Sequence, residues 1–219
     1  MTYSKRIKKL ASLIDENRNV IDIGSDHGIL DIYLTLYNKN KCLATDINKH
    51  SIKQIKENIS KLKLDIDVIQ SDGFDNIEIK ENPICVIAGM GTSLIKHIID
   101  NSKSKDINTF VIQTNNDYEM LRKYMQKKGY CIIDEIAFID KKIWYIIIKF
   151  KKGHKKYNKI DYALGPILKN KHDDETKKYF NYQIDKYKDI LNKIPKRYIF
   201  KRIKYIYILN YMKKVGPSL

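Results

Sequence analysis

Asp26 and His27 stand where an inert turn would be expected. They close the segment Asp22-Ile-Gly-Ser-Asp-His-Gly28, which follows the apolar run Val20–Ile23. Gly24 allows a sharp turn and close approach to a ligand. The start of the following helix presents free backbone N–H groups. A carboxylate and an imidazole at such a turn could do proton-transfer or electrostatic work. Asp46 ends the next apolar run, 22 residues beyond Gly24. A carboxylate there can accept both ribose hydroxyls of an adenosine, in nicotinamide and S-adenosylmethionine proteins alike. Three further groups fall at the ends of apolar runs. Ser71-Asp72-Gly73 suits an adenine amino group. Ala88-Gly89-Met90-Gly91 lets backbone come close to a planar acceptor. Gln113-Thr114-Asn115 offers amides that can read the edge of a base. Each also has a plain structural reading: an Asp-Gly turn, close helix packing, a helix cap. His50, His97, His154 and His172 show no metal-ligand spacing, and no metal is expected.

The elements that must position these groups alternate. Helical spacing marks 3–14, Asp26–Tyr37, Asn48–Leu62, Thr92–Asp100 and Asp117–Lys128. Short apolar runs mark strands at Val20–Ile23, Cys42–Ala44, Asp65–Gln70, Ile84–Ala88 and Thr109–Gln113. Strands Cys131–Phe138 and Ile143–Phe150 follow without a helix between them, joined by an Asp-Lys-Lys turn. The alternation predicts an α/β doubly wound parallel sheet, and the closing pair predicts an antiparallel hairpin. Seven strands with a terminal antiparallel hairpin are the order of Rossmann-like class I methyltransferases. Dinucleotide dehydrogenases usually add another parallel strand. Beyond the linker Lys151–Lys156, Phe180, Ile184, Tyr187, Leu191 and Ile194 form a heptad seam closed by Pro195. A second helix, 196–213, would offer Ile199, Ile203 and Ile206 as its partner stripe. These make a C-terminal helical, coiled-coil hairpin.

Charge divides the chain at the same place. Residues 1–150 carry 23 Lys/Arg against 20 Asp/Glu, whereas 151–219 carry 19 against 6. A genome poor in G+C would enrich Lys throughout, so the asymmetry points to a phosphate backbone as partner. Two domains are expected: 1–152 for catalysis and 153–219 for RNA contact. The lysines at 5, 8 and 9 could extend that contact. No apolar run of 18 residues exists, so no membrane span is expected. The scattered cysteines, Cys42, Cys85 and Cys131, suit a reducing cytoplasm. No obligate protein partner is implied.

Taken in order, these motifs resemble those of the bacterial tRNA adenine N1-methyltransferases acting at position 22. The resemblance rests on Asp22–His27, Ser71–Phe74, Ile87–Gly91, Gln113–Asn115 and Gly165-Pro166-Ile167-Leu168. It implies a Rossmann-like domain binding S-adenosylmethionine and a coiled-coil domain, with tRNA as substrate. It implies cofactor contacts from Asp22, Gly24, Ser25, Asp26, Asp46, Ile47, Asp72, Gly73, Ala88 and Gly89. Substrate contacts would come from Gly89, Met90, Gly91, Gln113 and Asn115, and catalysis from Asp26, His27 and Asn115. The chain departs from the family at three places. Gly28-Ile29-Leu30-Asp31 replaces a run of Ala-Tyr-Leu-Pro, Asp46 replaces Glu, and Thr114 replaces a proline, which would loosen the Asn115 loop. The alternatives are methylation of another RNA or a small molecule, nicotinamide-dependent oxidoreduction, and a non-catalytic RNA-binding protein on this fold.

Overall fold

A computed structural model describes residues 2–215; the expected second domain, 153–219, runs past them at 216–219. Seven strands form one sheet. They are β1 (Asn19–Ile23), β2 (Lys41–Asp46), β3 (Asp67–Gln70), β4 (Ile84–Met90), β5 (Thr109–Thr114), β6 (Tyr130–Asp140) and β7 (Ile143–Lys152). Their spatial order is β3-β2-β1-β4-β5-β7-β6. The first five are mutually parallel, and β7 runs antiparallel to both β5 and β6. The hairpin turns at Lys141-Lys142, both in left-handed backbone, as a two-residue turn between right-twisted strands requires.

Helices cover both faces, as a parallel sheet demands. On one face lie α1 (Lys5–Ala11), α2 (Ile29–Tyr37) and α3 (Lys49–Leu62); on the other, α4 (Thr92–Asp100) and α5 (Tyr118–Lys127). The strands divide their side chains accordingly. Ile21, Cys85, Phe110 and Ile148 enter the core beneath α4 and α5, while Val20, Val86, Val111 and Ile147 enter the core beneath α1–α3.

The C-terminal elements are α6 (Lys159–Leu164), α7 (Asp174–Lys193) and α8 (Ile199–Val215). Asp173 caps α7 by accepting from the Thr176 amide. Ile160, Leu168, Phe180, Leu191, Leu209 and Met212 join the same apolar cluster as α4 and α5. A buried ion pair fastens this region to the sheet. Arg122 Nε lies 2.7 Å from Glu135 Oε1, with both side chains essentially inaccessible. The other Glu135 oxygen accepts from the Ile167 and Leu168 amides at 3.1 and 3.2 Å. Gly165, at φ +91°, passes directly over that carboxylate, where a Cβ would overlap it. That contact is the physical reason for glycine in the Gly-Pro element.

Three sequence expectations change. The helix expected from Asp26 starts at Ile29, because Asp26 (φ 60°) and Gly28 (φ 71°) sit in left-handed backbone that cannot continue a helix. The short helix α6 went unpredicted. The α8 stripe is also different: Ile199, Ile203 and Ile206 are exposed, while Ile208, Leu209 and Met212 are buried. That helix has apolar residues on nearly every side, so its periodicity did not identify the packed face.

Candidate active site

The strand order reverses between β1 and β4, whose carboxyl ends open a crevice there. The crevice is a cavity of about 680 Å³, within the range of small-molecule sites. Asp22, Gly24, Ser25, Asp26, His27, Asp46, Ala88, Gly89 and Met90 line it, with Tyr3, Arg6, Ile7 and Leu10 from the N-terminal segment.

The turn after β1 is held from below. The Gly24 and Ser25 amides both donate to the Thr45 carbonyl, at 2.9 and 2.8 Å. Gly24 lies against the Met90 methyl at φ +78°, a left-handed conformation that favours glycine. The Asp26 amide donates to Asp46 Oδ2 at 3.2 Å, and Asp46 Oδ1 accepts from the Asn48 amide at 2.8 Å. Asp46 thus fixes the loop that carries Asp26, and each oxygen keeps a lone pair for a ligand. Asn58 donates to the His27 carbonyl at 3.0 Å. The Asp26 and His27 side chains project outward, 69% and 53% exposed, with Oδ2 and Nε2 3.5 Å apart. Both are free to meet an incoming substrate.

Behind the turn lies a buried acidic pair. Asp22 and Asp31 are 4% and 0% exposed. Burial raises both carboxyls, Asp31 to about 6 and Asp22 well above its usual range, and the Asp31 charge adds to the rise at Asp22. Two buried carboxylates in contact cannot both ionise cheaply, so the pair retains a proton near neutrality. Ser25 Oγ donates to Asp31 Oδ2 at 2.5 Å. Asp31 fills the position where the resemblance expected proline. It braces the turn with a side-chain hydrogen bond instead.

Sequence reasoning missed Arg6. Its guanidinium reaches the crevice beside Gly89 and opposes the Asp22 charge. Its Nε is buried without a partner, an unsatisfied donor on a residue that lines the crevice. The Arg6 backbone amide donates to Asp140 Oδ2 at 3.1 Å, tying α1 to the hairpin tip.

On the far lip, Asn115 Nδ2 donates to the Gly89 carbonyl at 2.7 Å, and the Asn115 amide donates to Met90 O at 2.9 Å. Gln113 is fully buried and donates to Asn115 Oδ1 at 3.1 Å. In this arrangement Gln113 orients Asn115 and does not itself face the crevice. The loop is not loosened by Thr114. Its hydroxyl lies 2.9 Å from Thr92 Oγ and 2.9 Å from the Asn116 carbonyl. Gly91 caps α4. Ile47 projects outward beside Asp46, 61% exposed. Asp72 and Gly73 border a separate recess with His97 and Asn101 and do not line the main cavity. Among the described residues, no cluster of three metal-ligating side chains occurs, and no helix is long and apolar enough to cross a membrane.

Cavity, carboxylates and free arginine donor fit an adenosine bearing an anionic tail. Comparison with known proteins agrees. The family model for tRNA (adenine(22)-N(1))-methyltransferases matches residues 20–214. The tRNA (adenine(22)-N(1))-methyltransferase of Bacillus subtilis is 29% identical over 175 residues, covering 77% of this chain and 74% of its own. A Mycoplasma genitalium protein is 36% identical over 175 residues, covering 76% and 78%. The structure of M. capricolum TrmK with S-adenosyl-homocysteine superposes with a TM-score of 0.82, at 25% identity over 99% of this chain and 100% of the other.

Proposed function

Because the chain belongs to the tRNA (adenine(22)-N(1))-methyltransferase family, we propose that it methylates N1 of adenine 22 in tRNA, using S-adenosylmethionine. The observation that carries this reading is the crevice at the strand switch point, where Asp46 holds the Asp26 loop on one side and Arg6 and Asn115 meet at Gly89 on the other. Bound there, S-adenosylmethionine supplies an electrophilic methyl group.

The chain's own residues do the rest. Asp46 accepts the ribose hydroxyls while holding the Asp26 amide. Arg6 directs its free donor to the carboxylate end of the cofactor. Gly24 and Gly89 let the backbone lie against it. Asn115, fixed by Gln113 and by the Gly89 carbonyl, orients the acceptor base. Methylation at N1 leaves the base cationic. The exposed Asp26 carboxylate stabilises that charge and takes the N6 proton, with His27 beside it as relay. N1 lies on the Watson–Crick edge, so the base must be unpaired or flipped to reach Asp26.

We assign residues 153–219 to the grip on the tRNA backbone, by their excess of 17 Lys/Arg over 6 Asp/Glu. The α1 lysines contribute less to that grip, since Lys5 and Lys9 pair with Glu175 of α7. We infer a cytoplasmic location from the tRNA substrate.

The test is methyl transfer to unmodified tRNA, with the modified nucleotide mapped. Asp26→Ala is expected to lower kcat at least ~100-fold with the fold retained. Near-normal turnover would remove Asp26 from the mechanism, and methylation elsewhere on the tRNA would overturn the substrate assignment.

A further inference from the structure

A second cavity, of about 610 Å³, opens between the Asn115 loop, the β6–β7 hairpin tip and helices α7 and α8. The reaction described above does not use it. Its walls are aromatic. The Trp144 and Tyr182 rings lie 6.0 Å apart with planes inclined by 29°. Tyr187 and Tyr205 pair across α7 and α8 at 5.2 Å. Four of its polar groups are uncommitted: among the described residues, the Tyr182, Tyr187 and Tyr205 hydroxyls and the Gln183 amide have no hydrogen-bond partner.

The charges at its rim favour an anion. Lys142 and Lys186 line it, and neither forms an ion pair among the described residues. The acidic groups on the same wall are occupied. Glu119 is paired with Lys123 and Lys204, and Asp117 caps α5 through the Met120 amide. The cavity adjoins the active site through one residue. Asn115 borders it and hydrogen-bonds the Gly89 carbonyl of the cofactor crevice at 2.7 Å.

We propose that this cavity receives an unstacked nucleotide of the tRNA next to the methylated adenine, its base against Tyr182 and Trp144 and its phosphate toward Lys186 and Lys142. Stacked rings, free hydroxyl and amide edges and unpaired cations are the chemistry that holds a single-stranded nucleotide. The site rests on the tRNA reading above. It would stabilise the opened conformation that brings adenine N1 to Asp26.

The experiment uses the full chain and three substitutions: Tyr182→Ala, Tyr182→Phe and Lys186→Ala. Tyr182 is 46% exposed, so its loss leaves the core in place, which far-UV circular dichroism checks. Tyr182→Ala is expected to raise the Kd and KM for tRNA about tenfold, the loss of one stacked base, while the Kd for S-adenosylmethionine stays unchanged. Tyr182→Phe restores binding, because the ring and not the hydroxyl stacks. Lys186→Ala weakens binding and reduces its salt dependence. A 2-aminopurine beside position 22 is quenched on binding the wild type and not on binding Tyr182→Ala. Wild-type tRNA affinity in Tyr182→Ala overturns the proposal. So does a change of oligomeric state in that variant, which would assign the cavity to a second copy of the chain. A wild-type protein that binds tRNA without methylating it refutes the functional reading instead, and the binding and fluorescence arms still decide the cavity.

Discussion

Asp31→Asn should stabilise this protein at alkaline pH and do nothing at acid pH. Asp31 is fully buried, accepts from Ser25 Oγ through Oδ2, and leaves Oδ1 without a partner. Burial moves its carboxyl from 3.8 to about 6. The folded protein therefore holds this proton to higher pH than the unfolded chain does. Below about pH 4 both states are protonated and no cost arises. Stability falls as the pH climbs from 4 through 6, and above that the cost is full. A displacement of about two pH units corresponds to roughly 3 kcal/mol. Asparagine has the same shape, keeps an oxygen for Ser25, and offers an amide to Asp22 in place of the shared proton. At pH 8 the variant should be about 2–3 kcal/mol more stable, or about 8 °C in Tm for a chain of this length. At pH 4 the two should agree. Asp100, Glu119, Asp173 and Glu175 are held below their usual range and pull stability the opposite way with pH. Their effect cancels in the difference between variant and wild type. Urea denaturation followed by circular dichroism from pH 4 to 8 gives that difference directly. A difference independent of pH, or a variant less stable at pH 8, would refute the reasoning.

Two further outcomes are expected. Glu135→Ala strands the Arg122 guanidinium and two backbone amides in the core, and should cost about 3–5 kcal/mol in denaturant unfolding; a cost below about 1 kcal/mol would show that the pair does not fasten α6 to the sheet. Arg6→Ala removes the free donor of the crevice, and should weaken S-adenosylmethionine about 10- to 100-fold by calorimetry, whereas unchanged affinity would place the carboxylate end elsewhere.

Much of the fold was legible because it is local. Short apolar runs marked the strands and period-3.6 spacing marked the helices α1–α5, and the missing crossover between β6 and β7 marked the antiparallel ending. The glycine turn, Asp26, Asp46 and the Gly-Met-Gly segment were legible for the same reason. Each sits at the end of a strand, and strand ends in a parallel sheet converge. One signal went unread. Only five of the 42 basic residues are arginines. Arg122 serves the buried pair, Arg202 donates to the Leu191 and Ile194 carbonyls, and Arg6 enters the crevice. In a lysine-rich chain an arginine marks a place where a planar, multidentate cation is needed.

The sequence by itself determined the order of elements, the turn chemistry and the division of charge, because neighbours along the chain set these. The tertiary structure alone decided which distant groups meet. Arg6 reaches Gly89, Asn115 hydrogen-bonds the Gly89 carbonyl, and Glu135 receives the Ile167 and Leu168 amides. It also decided which side of α8 is packed, since a helix apolar on most sides has its buried face chosen by the surfaces it meets. Asp31 shows the boundary between the two. Its type and position are plain in the chain, but only the packing of α2 against β1 seals it beside Asp22 and makes it share a proton.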